Sequence, residues 1–419
     1  MAFLGKIGQC GRATLLERLK TTVIVSSIYN YRNYFPCMKA RNAAGHIKEL
    51  RRFFPIIALT GPRQAGKTTL ARGFFPEKPY ASLENPDTRW QAESDPRSFL
   101  GRFPDGAILD EVQRLPELFS YLQQLVDENQ TPGRFVLTGS QQFGLRSKIS
   151  QSLAGRVGLV HLLPFTVGEW YGKAVPDLDD LMLRGMFPPI LDREIPPGIW
   201  FPQYVATYVE RDVREILPVK DLGSFSRFVR LCAGRVGQLL NLSSLASDCG
   251  VTHNTAKAWI DVLEASYLVI QLRPWHENFG KRLIKTPKLY FTDVGLLCWL
   301  LGIESAAQLS LHALRGSIFE NLVVMEALKQ RRNEGKEPNL FFWRDQSGHE
   351  IDLLRTDGGG FEAIEIKSGK TVAKDAFKGL EFFRELAGSR LERQILVHGG
   401  KDNYRHQEVE VQAFASWIG

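Results

Sequence analysis

Short apolar runs recur along the first third of the chain, each closed by a polar or glycine-rich turn and followed by a stretch of helical period. Residues 55–60 (PIIALT), 106–111 (GAILDE) and 134–141 (RFVLTGSQ) have the composition of buried parallel strands. Their alternation with helices predicts a doubly wound α/β layer whose ligand sits at the carboxyl ends of the strands. Between residues 243 and 264 the pattern changes to helix, tight turn, helix. Gly250 supplies the turn, Thr252 or Asn254 can cap the second helix, and Ala256, Trp259, Ile260 and Leu263 share one face. Residues 267–273 and 288–292 follow as two strands, completing the pattern of a winged helix. Further on, residues 316–329 form a strongly periodic helix, and 340–344, 349–354 and 361–369 read as strands. In the last of these, a period of two puts Glu365 and Lys367 on one side.

These elements divide the 419 residues into an N-terminal α/β domain (38–200), a helical linker with a winged helix (201–300) and a C-terminal α/β domain (301–419). Residues 1–37 fall outside the pattern. They carry Lys6, Arg12, Arg18, Lys20 and Arg32 against the single acid Glu17, as a transit peptide does. The preferred reading is that the protein proper opens at Met38. No apolar run is long enough to span a membrane. Five widely scattered cysteines argue against a zinc site or a disulfide framework and favour the reducing cytoplasm. A net charge of +7 invites a polyanionic partner, with DNA the candidate.

The first strand runs directly into GPRQAGKTTL, which matches the phosphate-binding pattern GxxxxGK[ST] at Gly61, Gly66, Lys67 and Thr68. Backbone N–H groups from Gly61, Pro62, Arg63, Gln64, Ala65, Gly66, Lys67, Thr68 and Thr69, Pro62 excepted as a donor, would surround the phosphates at a helix N-terminus. Lys67 would reach the β- and γ-phosphates, and the Thr68 hydroxyl would take one Mg²⁺ position. Asp110 would hold the metal shell through water, and Glu111 would polarise the attacking water. Thr138 or Ser140, at the end of a strand beside the first, would lie near the γ-phosphate. Arg156, Arg211 and Arg214 are candidates for an arginine that neutralises developing charge, in cis or from a neighbouring subunit. The alternative for Arg211 and Arg214 is a pair of helix-surface ion pairs with Glu215 and Glu210.

The C-terminal series Glu320, Asp352, Glu365 and Lys367 has the residue types that metal-dependent phosphodiester cleavage requires. The three acids would give oxygen ligands to Mg²⁺, and Lys367 would orient or activate water. The alternative is a nuclease-like fold that has lost catalysis and kept a binding surface. The outward residues His253, Asn254 and Lys257 stand where a recognition helix meets DNA, with Lys281, Arg282 and Lys285 in the wing, although one lysine on that helix is thin for a duplex reader.

With GPRQAGKTTL, ILDEVQRLPEL, FVLTGS, LAGR, RGMFP, YVERDV, FTDVGLL, FENLV, EIDLL and EIKSGK in this order, the chain resembles prokaryotic AAA-type ATPases that carry a C-terminal domain of unknown function. That domain looks like the PD-(D/E)xK restriction-endonuclease fold, also seen in archaeal junction resolvases. The resemblance runs from about residue 40 to the end. It implies ATP as ligand with Mg²⁺, hydrolysis through Lys67, Thr68, Asp110 and Glu111, and a nuclease-type site at Glu320, Asp352, Glu365 and Lys367. The expected protein is therefore a cytoplasmic ATP-driven switch that grips or cuts DNA, with homo-oligomerisation left open. A catalytically silent C-terminal domain serving as a protein- or nucleic-acid-binding regulator is the alternative.

Overall fold

The computed structural model describes residues 39–140, 153–209, 222–275 and 284–418. Five strands, β1 (Ile56–Thr60), β2 (Tyr80–Ser82), β3 (Ile108–Asp110), β4 (Phe135–Gly139) and β5 (Val157–His161), form a parallel sheet in the order β2-β3-β4-β1-β5. Parallel neighbours need crossover connections, so helices cover both faces and the central strands are apolar throughout. On one face Ile57, Leu59 and Val136 pack with Ile47 of α1 (Ala43–Leu50) and Leu70 of α2 (Lys67–Phe74). On the other, Ile56, Ala58 and Leu137 meet Leu118, Leu122 and Val126 of the helix Leu118–Glu128.

α3 (Leu242–Cys249) and α4 (His253–Ala265) make the expected helix-turn-helix. Gly250 turns in the left-handed region at φ +69°. The Thr252 hydroxyl caps α4 by accepting from the Thr255 N–H at 3.1 Å. β6 (Val269–Leu272) and β7 (Lys288–Phe291) follow as an antiparallel pair. β6 begins two residues later than the apolar pattern suggests because Tyr267 takes φ +57°, a left-handed turn that no strand accommodates. His253, Asn254, Lys257 and Lys285 are exposed, whereas Lys281 and Arg282 lie outside the described residues.

The C-terminal region is a mixed six-stranded sheet in the order β12-β13-β11-β10-β9-β8. β8 (Leu340–Arg344), β9 (Glu350–Asp357) and β10 (Gly360–Lys367) are the strands read from the pattern. β11 (Leu391–His398), β12 (Tyr404–His406) and β13 (Val409–Ala413) extend the sheet. One face packs on α7 (Lys378–Ala387) through Leu380 and Phe383. The other joins a large core that also takes in α5 (Val294–Leu300), the helix-turn-helix and α6 (Arg315–Asn333).

The segment 184–186 and the start of α5 fit together closely. Asp293 caps α5 through the Leu296 N–H at 3.0 Å and accepts the Met186 N–H at 2.7 Å. Gly295 lies so near that a Cβ there would stand 2.7 Å from the Arg184 carbonyl oxygen. Gly295→Ala is expected to destabilise the chain by about 1–3 kcal/mol through this backbone overlap. A urea unfolding midpoint equal to wild type would disprove the contact.

Candidate nucleotide site and C-terminal carboxylate cluster

The first site lies at the carboxyl ends of β1, β3 and β4. Gly61, with φ +151°, lies against β5's continuation, where a Cβ would come 2.0 Å from the Leu162 carbonyl oxygen. Only glycine lets the backbone pass there. The loop then turns through Pro62–Gly66 into α2, which opens at Lys67. Lys67 is buried, and its ammonium donates to the carbonyl oxygens of Gly61 (3.0 Å) and Pro62 (2.8 Å). It is folded back on its own loop, which satisfies the charge within the protein. Arg41, which the sequence did not single out, braces the loop by donating to the Ala65 carbonyl at 3.0 Å and the Leu163 carbonyl at 2.6 Å. Arg63 is buried, 3.9 Å from Glu84.

Asp110 is the hub of the polar groups. Its Oδ1 accepts the Thr68 hydroxyl at 2.8 Å and the Thr138 hydroxyl, and its Oδ2 accepts the Tyr80 hydroxyl at 2.8 Å. Burial, reinforced by the Asp110 charge, pushes the Tyr80 hydroxyl up to about 12, so it donates throughout the physiological range. Nothing in the sequence marked Tyr80, because it arrives from β2. Glu111 takes φ +56°, a strained conformation for a non-glycine residue. Its carboxylate is held by Gln113 and by Ser140 at 3.2 Å. Thr68 and Asp110 stand side by side, so their oxygen donors suit a hard cation such as Mg²⁺. Thr69 lines a cleft beside the loop with Lys39, Arg41, Phe165, Pro188 and Asp192.

The arginines turn out differently. Arg156 is not part of this loop site in its own chain. Its backbone oxygen accepts from Ile56 N, at the amino end of β1 and opposite Gly61. Its guanidinium forms a two-pronged pair with Asp127, at 2.5 and 3.0 Å. Arg211 and Arg214 lie outside the described residues.

β1 ends in a further contact that sequence reasoning missed. The Tyr267 hydroxyl, arriving from just past α4, donates to Thr60 Oγ1 at 2.9 Å, and His161 Nδ1 lies 2.9 Å from the same oxygen. Thr60 is the residue immediately before Gly61.

In the C-terminal region the four predicted residues gather at the junction of α6, β9 and β10, with a further lysine beside Glu320. Lys288 of β7 is buried, with Nζ 2.9 Å from Glu320 Oε1 and 2.5 Å from Glu350 Oε1. Glu320 Oε1 also accepts the Tyr290 hydroxyl at 2.5 Å. Asp352 is turned onto the Ile366 N–H at 2.8 Å and lies 3.9 Å from Lys367. Lys367 pairs with Glu365 at 2.5 Å. Among the described residues no three carboxylate, histidine or cysteine side chains are disposed to hold a metal ion. One oxygen of each expected ligand, Glu320, Asp352 and Glu365, meets an internal donor, while Glu365 Oε2 is buried with no hydrogen-bond partner. Glu350, adjacent to the expected series, faces Lys288 and Arg344. Asp345 instead braces the β8–β9 turn by accepting from the His349 N–H.

Electrostatics follow this packing. Burial, with the nearby Asp352 charge, pushes Glu365 up to about 8 in spite of Lys367. Burial also raises Glu320, opposed by Lys288. For Lys288 burial acts downward, but Glu320, Asp352 and Glu350 together hold it above the usual lysine value.

Family models match three successive segments. One described as an AAA domain covers residues 53–171, a domain of unknown function (DUF8612) covers 175–307, and a second such domain (DUF4143) covers 315–417. Two uncharacterised proteins, from Mycobacterium bovis and Mycobacterium tuberculosis, are each 35% identical over 342 residues, which is 80% of this chain and 76% of the relative. Among solved structures, the Walker-type ATPase of Pyrococcus abyssi aligns at 16% identity over 62% of this chain and 94% of that one, with a TM-score of 0.43. No helix among the described residues is long and apolar enough to cross a membrane.

Two outcomes are expected. Lys67→Ala lowers ATP turnover by at least about 100-fold, with a far-ultraviolet spectrum and an unfolding midpoint near wild type; unchanged phosphate release would remove Lys67 from the site. For Glu365 the native carboxyl keeps its proton above the ordinary value of 4.5, so the native state binds more protons than the unfolded one between 4.5 and about 8. Its contribution to stability therefore falls as pH rises through that window and levels off above it. Glu365→Gln should gain stability relative to wild type between pH 5 and pH 8, and urea unfolding at both pH values that gives a constant difference would refute the shift.

Proposed function

The chain belongs to the family of its two mycobacterial relatives and carries an AAA-type P-loop ATPase domain at residues 53–171, and on that premise we propose that it is an ATP-driven switch acting on DNA. The observation that carries the coupling is the buried contact between Thr60, at the foot of the phosphate loop, and Tyr267, at the end of the helix-turn-helix. A nucleotide that draws Lys67 away from the Gly61 and Pro62 carbonyls changes the loop directly after Thr60. The Tyr267 hydroxyl then either follows Thr60 or loses its partner, and the strained left-handed turn at Tyr267 favours a second arrangement.

Within the ATPase site, backbone N–H groups of residues 61 and 63–69 bind the phosphates and Lys67 pairs with them. Thr68 and Asp110 would hold Mg²⁺, which neutralises charge between the β- and γ-phosphates when bound. Glu111, steadied by Gln113 and Ser140, orients the attacking water. An arginine to complete the charge balance would come from Arg211 or from Arg156 of a neighbouring subunit, which makes assembly part of the proposal.

DNA is the polyanion favoured by the exposed His253, Asn254 and Lys257 on α4 and by the net charge of +7, although the five basic residues and one acid of residues 1–37 supply more than half of that charge. The C-terminal domain is read as restriction-endonuclease-like. A gripping role is favoured over cutting, because Lys288 rather than open space stands among its carboxylates.

Fluorescence anisotropy on duplex, single-stranded, forked and four-way-junction DNA tests the proposal in full. Binding should weaken steeply with salt as counterions are recaptured, and ATP should change the affinity by about fivefold or more. Tyr267→Phe should keep ATP hydrolysis while losing that ATP effect. Binding indifferent to both salt and nucleotide would reject the switch, and DNA cleavage abolished by Asp352→Ala would reverse the choice of gripping over cutting.

A further inference from the structure

We infer that Lys288 is the resident cation of the C-terminal acidic cluster, taking the position that a divalent metal would otherwise hold. Three features support this. The ammonium is buried and meets two carboxylates from different elements, Glu320 of α6 and Glu350 of β9, at 2.9 and 2.5 Å. Glu320 Oε1 also accepts the Tyr290 hydroxyl, two residues along the same strand as Lys288. The other two acids turn to Lys367 and to the β10 backbone.

Lys288, Lys367 and Arg344 thus bring three cations to the four carboxylates Glu320, Glu350, Asp352 and Glu365. A hard cation needs several carboxylate and water oxygens converging on one point. Here Lys288 stands between Glu320 and Glu350, and its removal would leave both half-buried carboxylates without that cation. Lys288 arrives from β7, which pairs with β6 and bridges to Leu239. The cluster therefore fastens the hairpin after the helix-turn-helix onto the C-terminal sheet. The inference stands on this side-chain geometry and holds whether or not the protein binds DNA.

The test is Mn²⁺ titration of the nucleotide-free, full-length protein, followed by electron paramagnetic resonance of the free ion and by thermal unfolding. Wild type should show no Mn²⁺ site that depends on Asp352, and Mn²⁺ should leave its Tm unchanged. Lys288→Met should bind Mn²⁺ at least about tenfold more tightly than wild type and be stabilised by it. Adding Asp352→Asn to that variant should abolish both effects, and Lys288→Arg, which keeps the charge, should behave as wild type. A Mn²⁺ site in wild type that Asp352→Asn removes overturns the inference, and needs no Lys288 variant to fold. A folded Lys288→Met that binds no more Mn²⁺ than wild type overturns it as well.

Discussion

The architecture depends on pairing the polar groups of one buried helix. α6 runs through the middle of the molecule with Asn321, Glu326, Lys329 and Asn333 facing packed surfaces rather than water, and Glu320 half-buried beside them. A buried charge or amide is tolerated only when hydrogen-bonded, so each of these side chains must find a partner on whatever packs against it. Glu326 accepts the Val167 N–H at 2.8 Å, and Lys329 donates to the Phe165 carbonyl at 3.1 Å, which fixes the segment leaving the ATPase sheet. Asn321 accepts from and donates to the Phe291 backbone, at 2.7 and 2.9 Å, in the manner of an added strand on β7. Glu320 takes Lys288 and Tyr290 from the same strand. Arg315, at the start of the helix, ties Asp179 to the Ser368 carbonyl at the end of β10. Three regions of the chain are thus aligned by one set of obligatory pairings.

That arrangement gives the nucleotide site its mechanical setting. The phosphate loop is braced by Arg41 on one side and ends a strand whose last residue is held by Tyr267. Tyr267 also follows the α4 helix and precedes β6, whose partner β7 is fastened to α6. A shift at Gly61 is therefore two contacts away from the hairpin that carries Lys288. Glu111 and Tyr267 are two of the six described non-glycine residues in the left-handed region, and both lie along this route.

Local chemistry was readable from the chain wherever it is continuous in sequence. The loop from Gly61 to Thr69, the strand acids Asp110 and Glu111, the Thr252 cap and the alternation of Glu365 with Lys367 all follow from spacing and residue type. The contact of Ser140 with Glu111, between neighbouring strands, is visible only in the folded chain. The motifs RGMFP and FTDVGLL could be seen only as separate strings, yet they pack together through Asp293 and Gly295. Tyr80, Arg41, Tyr267 and Lys288 gave no signal, since each acts on residues at least 24 positions away.

The sequence by itself determined that a phosphate loop follows a buried strand, because a glycine-rich turn and a helix start are set by neighbouring residues. It also determined which acids and lysine could meet in the C-terminal domain. Only the tertiary structure decided what they meet. An acid chosen for a metal and an acid chosen for a lysine have the same period and the same composition. The difference lies in a cation delivered by a strand some thirty residues upstream of Glu320, and long-range delivery leaves no mark on local pattern.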